Sequence, residues 1–189
     1  MSGAPGVVGP WPQRMINPIR NYDWGSTSVL ARLQGRRPTG QPEAELWMGA
    51  HSSAPSLLEQ PDGTRVSLEE AIAKDGPGLL GSPVRSSFGD RLPFLLKILA
   101  IAGPLSLQVH PTADRARSGF DGEVDIPGEH RYVDPYAKPE MLYALEPVDT
   151  MCGFRSAEEA ERLLGLLGTP RAGHLAGLLL GHESEQHLL

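Results

Sequence analysis

The stretch PLSLQVHP, residues 104–111, decides how the chain is read. Its alternation puts Ser106, Gln108 and His110 on one side of an extended segment and Leu105, Leu107 and Val109 on the other. Gln108 and His110 are two residues apart, so on a strand their side chains reach toward a common atom. Imidazole nitrogen is a common zinc donor and amide oxygen a rare one. On spacing alone, a solvent-facing edge explains the pattern better, because Q-x-H is short and common.

Other residues bear on that choice. Glu140, in AKPEML, is the natural third donor, since a carboxylate entering an apolar run needs a partner and a cation is one. Lys97 interrupts the apolar run PFLLKILA, where alternation groups it with Leu95 and Leu99; it either snorkels to an edge or points into a pocket and holds a phosphate. Lys138 stands two residues before Glu140 and shares its side of an extended segment, or else is a solvated loop lysine. In AELWMGAHSSAPS, residues 44–56, Glu45 and Trp47 alternate with Leu46 and Met48, a strand running into a glycine turn. Trp47 reads as core, His51 as part of the turn, and Trp24 as packing or one wall of a sugar site. Cys152 has no basic neighbour to activate it and reads as a buried, inert thiol.

Bulk properties narrow the function classes. The 189 residues suit one domain or slightly more, and 40% hydrophobic with 21% charged residues suffices for a buried core. A net charge of −6 argues against a broad nucleic-acid or anionic-membrane surface, although a few basic residues in a pocket still suffice for a small phosphate. One cysteine excludes an intramolecular disulfide framework and fits a reducing cytoplasm. No window approaches the roughly 18 consecutive apolar residues of a membrane span. Residues 1–14 read as a flexible Gly/Pro-rich leader with no secretory signal, and Met15 is a second candidate start.

Eighteen prolines and twenty-two glycines separate short alternating runs, the pattern of an all-β sandwich or barrel. Strands are expected at Ile16–Tyr22, Ala44–Met48, Pro93–Ala100, Leu105–His110 and Met141–Ala144. Helices are expected at SLEEAIAK, where Ser67 and Glu70 form a capping box, and at SAEEAERLLGLLG, where Ser156 and Glu159 repeat the device. In the latter, Leu163, Leu164 and Leu167 share a face, and RAGHLAGLLL follows Pro170 as a further helix. Ser118–Pro139 reads as a long loop of the kind that often carries function.

Four segments taken in order resemble type I mannose-6-phosphate isomerase (phosphomannose isomerase): INPIRNYDWGS, PEAELWMGAHSSAPS, LPFLLKILAIAGPLSLQVHP and DPYAKPEMLYALEPVDTMCGFR. An ordered set is far more specific than one Q-x-H and reverses the reading that spacing alone favours. The resemblance implies a mainly β fold: a cupin-type β-barrel (jelly roll), incomplete here, over residues 15–155, then the start of an α-helical insertion over 156–189. It implies one zinc held by Gln108, His110 and Glu140, with Ser106, Lys97 and Lys138 matching substrate-binding or catalytic positions. The implied reaction interconverts mannose 6-phosphate and fructose 6-phosphate through a cis-enediol, in a cytoplasmic monomer that feeds GDP-mannose supply. Among these residues Lys138 suits proton transfer, Lys97 orientation of the sugar, and Ser106 a hydrogen bond to substrate or its phosphate.

Two features depart from the family pattern. Ala137 stands where the family usually has histidine before K-P-E. The family's fourth zinc ligand, a histidine in a G-x-x-H-A-Y segment, and a later arginine find no match, and His174, His182 and His187 fit neither motif. The chain is accordingly read as a truncated N-terminal portion, for which a non-catalytic, cupin-like sugar-phosphate-binding remnant is the rival reading.

Overall fold

Proline sets the first break in the chain. The computed structural model describes residues 13–122, 132 and 134–181. The strand expected over Ile16–Tyr22 is two short strands, β1 (Met15–Ile16) and β2 (Ile19–Arg20), parted at Asn17-Pro18. Pro18 has no N–H to give a ladder, but its carbonyl accepts from the Trp47 amide at 3.0 Å. β1 pairs antiparallel with β4 (Leu57–Glu59), which pairs with β5 (Arg65–Ser67). β2 pairs antiparallel with β3 (Glu45–Met48), which pairs with β6 (Leu96–Leu99). The described strands thus form two three-stranded antiparallel sheets.

Register in the second sheet sorts its side chains. Ile19, Leu46 and Ile98 are paired across the three strands and pack with Leu30, Val29 and Ala100. Leu30, in α1 (Val29–Leu33), is fully buried, which contributes about 1.5–3 kcal/mol of hydrophobic stabilisation. The opposite face carries Arg20, Glu45, Trp47, Lys97 and Leu99. Lys97 does lie with Leu99 and against Leu96 and Ile98, as its alternation predicts. Close approach at the sheet's edge requires Gly25: a Cβ there would lie 2.5–2.7 Å from Ala44 atoms. Gly25 bridges to Ile101, and Ser26 to Glu43.

Helices follow local signals where these exist. α2 (Leu68–Lys74) opens on the expected capping box, with Ser67 Oγ accepting from the Glu70 amide at 3.0 Å and Glu70 accepting from the Ser67 amide at 3.2 Å. It buries Ala71 and Ile72 and packs on β5. α3 (Gly76–Phe88) bends where Gly81 has φ 71°, two residues before Pro83. Sequence periodicity does not anticipate it, since glycine and proline interrupt the apolar pattern.

The chain divides into two compact units, Met1–Ser106 and Leu107–Leu189. The second contains α4 (Ala113–Gly122), α5 (Ala157–Leu166) and α6 (Pro170–Gly181), of which α5 and α6 pack together. Ser156 caps α5 through its hydroxyl at 3.3 Å, but the Glu159 side chain turns to Arg155 at 2.8 Å, so the reciprocal half of the expected box is replaced by an ion pair. Leu163 and Leu164 are partly covered, whereas Leu167 is the C-cap of α5 and is exposed. α4 takes up Ser118–Gly122 of the expected loop; residues 123–131 and 133 of that loop, residues 1–12 of the leader, and His182 and His187 lie outside the described residues.

Three expectations require correction. Helical residues outnumber strand residues among those described, so the expected β predominance does not hold there. Leu105–His110 and Met141–Ala144 form no ladder. In the first, Pro104 and Pro111 remove backbone donors, and Leu107 and Val109 are exposed along with the polar residues, so alternation did not make a buried face. Cys152 is exposed, because the irregular chain around it buries little: Met151 and Phe154 are exposed as well.

Candidate functional site

Each unit carries part of the predicted set. In the second, His110 Nε2 and Glu140 Oε1 approach to 3.5 Å, bringing together side chains thirty positions apart in the sequence. His110 follows the irregular segment 105–109, and Glu140 follows Pro139 in another irregular run. Both side chains keep access to solvent. Gln108 is exposed. Among the described residues, no group of three His, Cys, Asp or Glu side chains is assembled. Lys138 pairs with Asp134 at 3.2 Å rather than with Glu140.

In the first unit, Lys97 is held on the polar face of the β2–β3–β6 sheet. Its Nζ lies 3.6 Å from Glu45 Oε2 and 4.9 Å from the centre of the Trp47 ring, its register partner on β3. Trp47 Nε1 donates to the same carboxylate oxygen at 2.5 Å. Arg20 stands over the Trp47 ring from β2 at 5.0 Å and over Tyr22 at 5.6 Å. Trp47 is buried as expected, but its ring is a platform for two cations as well as a core residue. His51 meets the Trp47 ring edge-on at 5.0 Å and turns Nδ1 to Ser53, consistent with its reading as a turn residue. Trp24 stacks on Tyr22 at 5.8 Å. Ser106 is exposed.

Sequence reasoning missed Glu45, which is buried yet touches both Lys97 and Trp47. The signal was present: a carboxylate inside an apolar strand requires a partner, though only the strand register identifies Lys97 as that partner. A second buried carboxylate, Glu43, is gripped by Arg36 through two bonds of 2.9 and 2.5 Å and by Thr39 at 3.3 Å. The Arg36 hydrogen bonds hold the Glu43 carboxyl below the usual carboxylate range against the opposing effect of burial. This clamp anchors residues 36–43 to the start of β3.

Comparison with known proteins identifies the class. Residues 13–157 match the family described as phosphomannose isomerase type I, catalytic domain, and the chain belongs to that family. Mannose-6-phosphate isomerase of Escherichia coli (strain K12) is 44% identical over 158 residues, which are 80% of this chain and 40% of that protein. The human mannose-6-phosphate isomerase is 34% identical over 183 residues, 88% of this chain and 42% of its own length. The chain therefore spans about two fifths of these curated relatives. Among solved structures, a crystal structure of the Salmonella typhimurium mannose 6-phosphate isomerase bound to substrate and a zinc atom aligns with TM-score 0.57 and 42% identity, covering 67% of this chain and 33% of that one.

Proposed function

We propose that the chain supplies the zinc-binding and sugar-phosphate-binding residues of an aldose–ketose isomerase that interconverts mannose 6-phosphate and fructose 6-phosphate. The observation that carries this reading is the His110–Glu140 approach at 3.5 Å within a chain of this family. Two donors on a tetrahedral zinc, each at about 2.0–2.1 Å, stand roughly 3.3–3.4 Å apart, so the pair fits the spacing of two ligands. Gln108 is the third donor in this reading. Zinc, when bound, polarises the sugar's carbonyl and hydroxyl oxygens. Lys97 orients the sugar phosphate as a fixed cation, and Ser106 donates a hydrogen bond to substrate or its phosphate. Lys138 comes away from Asp134, gives its proton to solvent, takes the proton from one of C1 and C2 as the neutral amine and returns it to the other from the ammonium so formed.

The fold proposed with this function is a cupin-type barrel, to which the two antiparallel sheets would contribute. The protein is proposed to be a cytoplasmic monomer serving GDP-mannose supply. In support, no described helix is long and apolar enough to cross a membrane, and the single cysteine is free. One sequence feature favours a second reading, a sugar-phosphate-binding protein without turnover: Ala137 occupies the position before K-P-E and offers no titratable group for proton transfer.

Metal titration tests the ligand set. The chain is expected to bind one zinc per molecule, and His110→Ala and Glu140→Gln are each expected to weaken binding at least about tenfold. Unchanged zinc affinity in both variants, with secondary structure retained, would reject these residues as ligands.

A further inference from the structure

Lys97 does not stand alone in its sheet. Its ammonium meets a carboxylate that the fold buries, Glu45, at 3.6 Å, and lies over the indole of Trp47. The same oxygen, Glu45 Oε2, receives the Trp47 Nε1 proton, so one buried carboxylate fixes both the cation and the ring beneath it. Glu45 and Trp47 lie two apart on β3, and Trp47 pairs in register with Lys97 on β6, so all three emerge on one face of the sheet. A flexible lysine loses substantial rotamer freedom when held in one place, and this arrangement meets that cost before a ligand arrives.

We propose that Glu45 is a positioning residue for Lys97, setting the ammonium on the Trp47 ring so that it receives the anionic group of a sugar phosphate without reorganising. The proposal rests on the reading of Lys97 as the lysine that orients the sugar phosphate. Glu45 acts through Lys97 and need not touch the ligand. Arg20 adds a second cation on the same ring, and the group Arg20, Lys97 and Glu45 carries a net charge of +1, a sign suited to an anion.

The test uses the full chain with fructose 6-phosphate as probe and has two readouts. By NMR, the Lys97 ammonium is expected to give a resolved proton–nitrogen signal at low temperature, lost in Glu45→Gln while the Trp47 indole signal persists. An unresolved wild-type signal, or one unchanged in Glu45→Gln, overturns the proposal. By calorimetry, Glu45→Gln is expected to weaken sugar-phosphate binding about tenfold in the wild type, as loss of a charge-assisted contact would. In a Lys97→Met background the same substitution is expected to change it less than about twofold. Equal losses in both backgrounds overturn the proposal, because a structural role would weaken binding with or without Lys97. If no form binds fructose 6-phosphate, the functional reading fails while the ammonium signal still decides the positioning. Should Glu45→Gln not fold, the wild-type Glu45 carboxyl carbon shift is compared with Lys97→Met: a shift supports the pair, and no shift overturns it.

Discussion

Arg36 and Glu43 carry the clearest electrostatic consequence at the scale of single residues. Glu43 is buried, and the Arg36 hydrogen bonds keep its carboxyl below the ordinary range near 4.5. A carboxyl whose pKa is lower folded than unfolded contributes stability that is complete above the unfolded value. That contribution is lost as pH falls through the lower, folded one. Arg36→Gln removes the hydrogen bonds that lower it and leaves burial, which raises it. By urea unfolding followed from pH 3 to 7, the stability lost between pH 7 and pH 3 is therefore expected to be smaller in Arg36→Gln than in the wild type, because the variant is weakened chiefly at neutral pH. An equal loss in both proteins would show that the Arg36 clamp contributes no pH-dependent stability. The candidate site follows the same physics: carboxylates taken from water require a partner, as Glu45 has in Lys97 and Trp47.

Elements were legible where a local signal was strong. The Ser67–Glu70 box marks the start of α2 in both sequence and structure, and Ser67→Ala is expected to cost about 1 kcal/mol in chemical unfolding. A loss within error would show that the cap adds nothing beyond solvent. β3 and β6 were readable too, since short apolar runs flanked by turn formers left few alternatives, although the strand expected over Pro93–Ala100 is confined to Leu96–Leu99. Reading failed where alternation was the sole guide. Residues 105–110 alternate faithfully yet join no ladder among the described residues, and a strand exists only through its ladder. α3 and α4 escaped notice because glycine and proline in one, and a polar composition in the other, mask helical periodicity.

At the scale of the whole molecule, order along the sequence conveyed more than any one motif. Four segments in sequence pointed to the family that residues 13–157 match, although Q-x-H alone favoured an ordinary surface. What the residues could not convey is the pairing of the two lysines: that Lys138 turns to Asp134, or that Lys97 turns to Glu45. The chain also leaves much of Met141–Phe154 in solvent, with Met141, Tyr143, Leu145 and Met151 each more than three quarters exposed, at 79–95%. The proposed isomerisation rests on Gln108, His110, Glu140, Lys97 and Lys138. Its most direct test is incubation of the zinc-loaded chain with carbon-13-labelled fructose 6-phosphate, followed by NMR. Mannose 6-phosphate is expected to appear with the wild-type chain and to be absent with His110→Ala. A wild-type chain that binds both zinc and fructose 6-phosphate yet forms no mannose 6-phosphate would contradict the proposal.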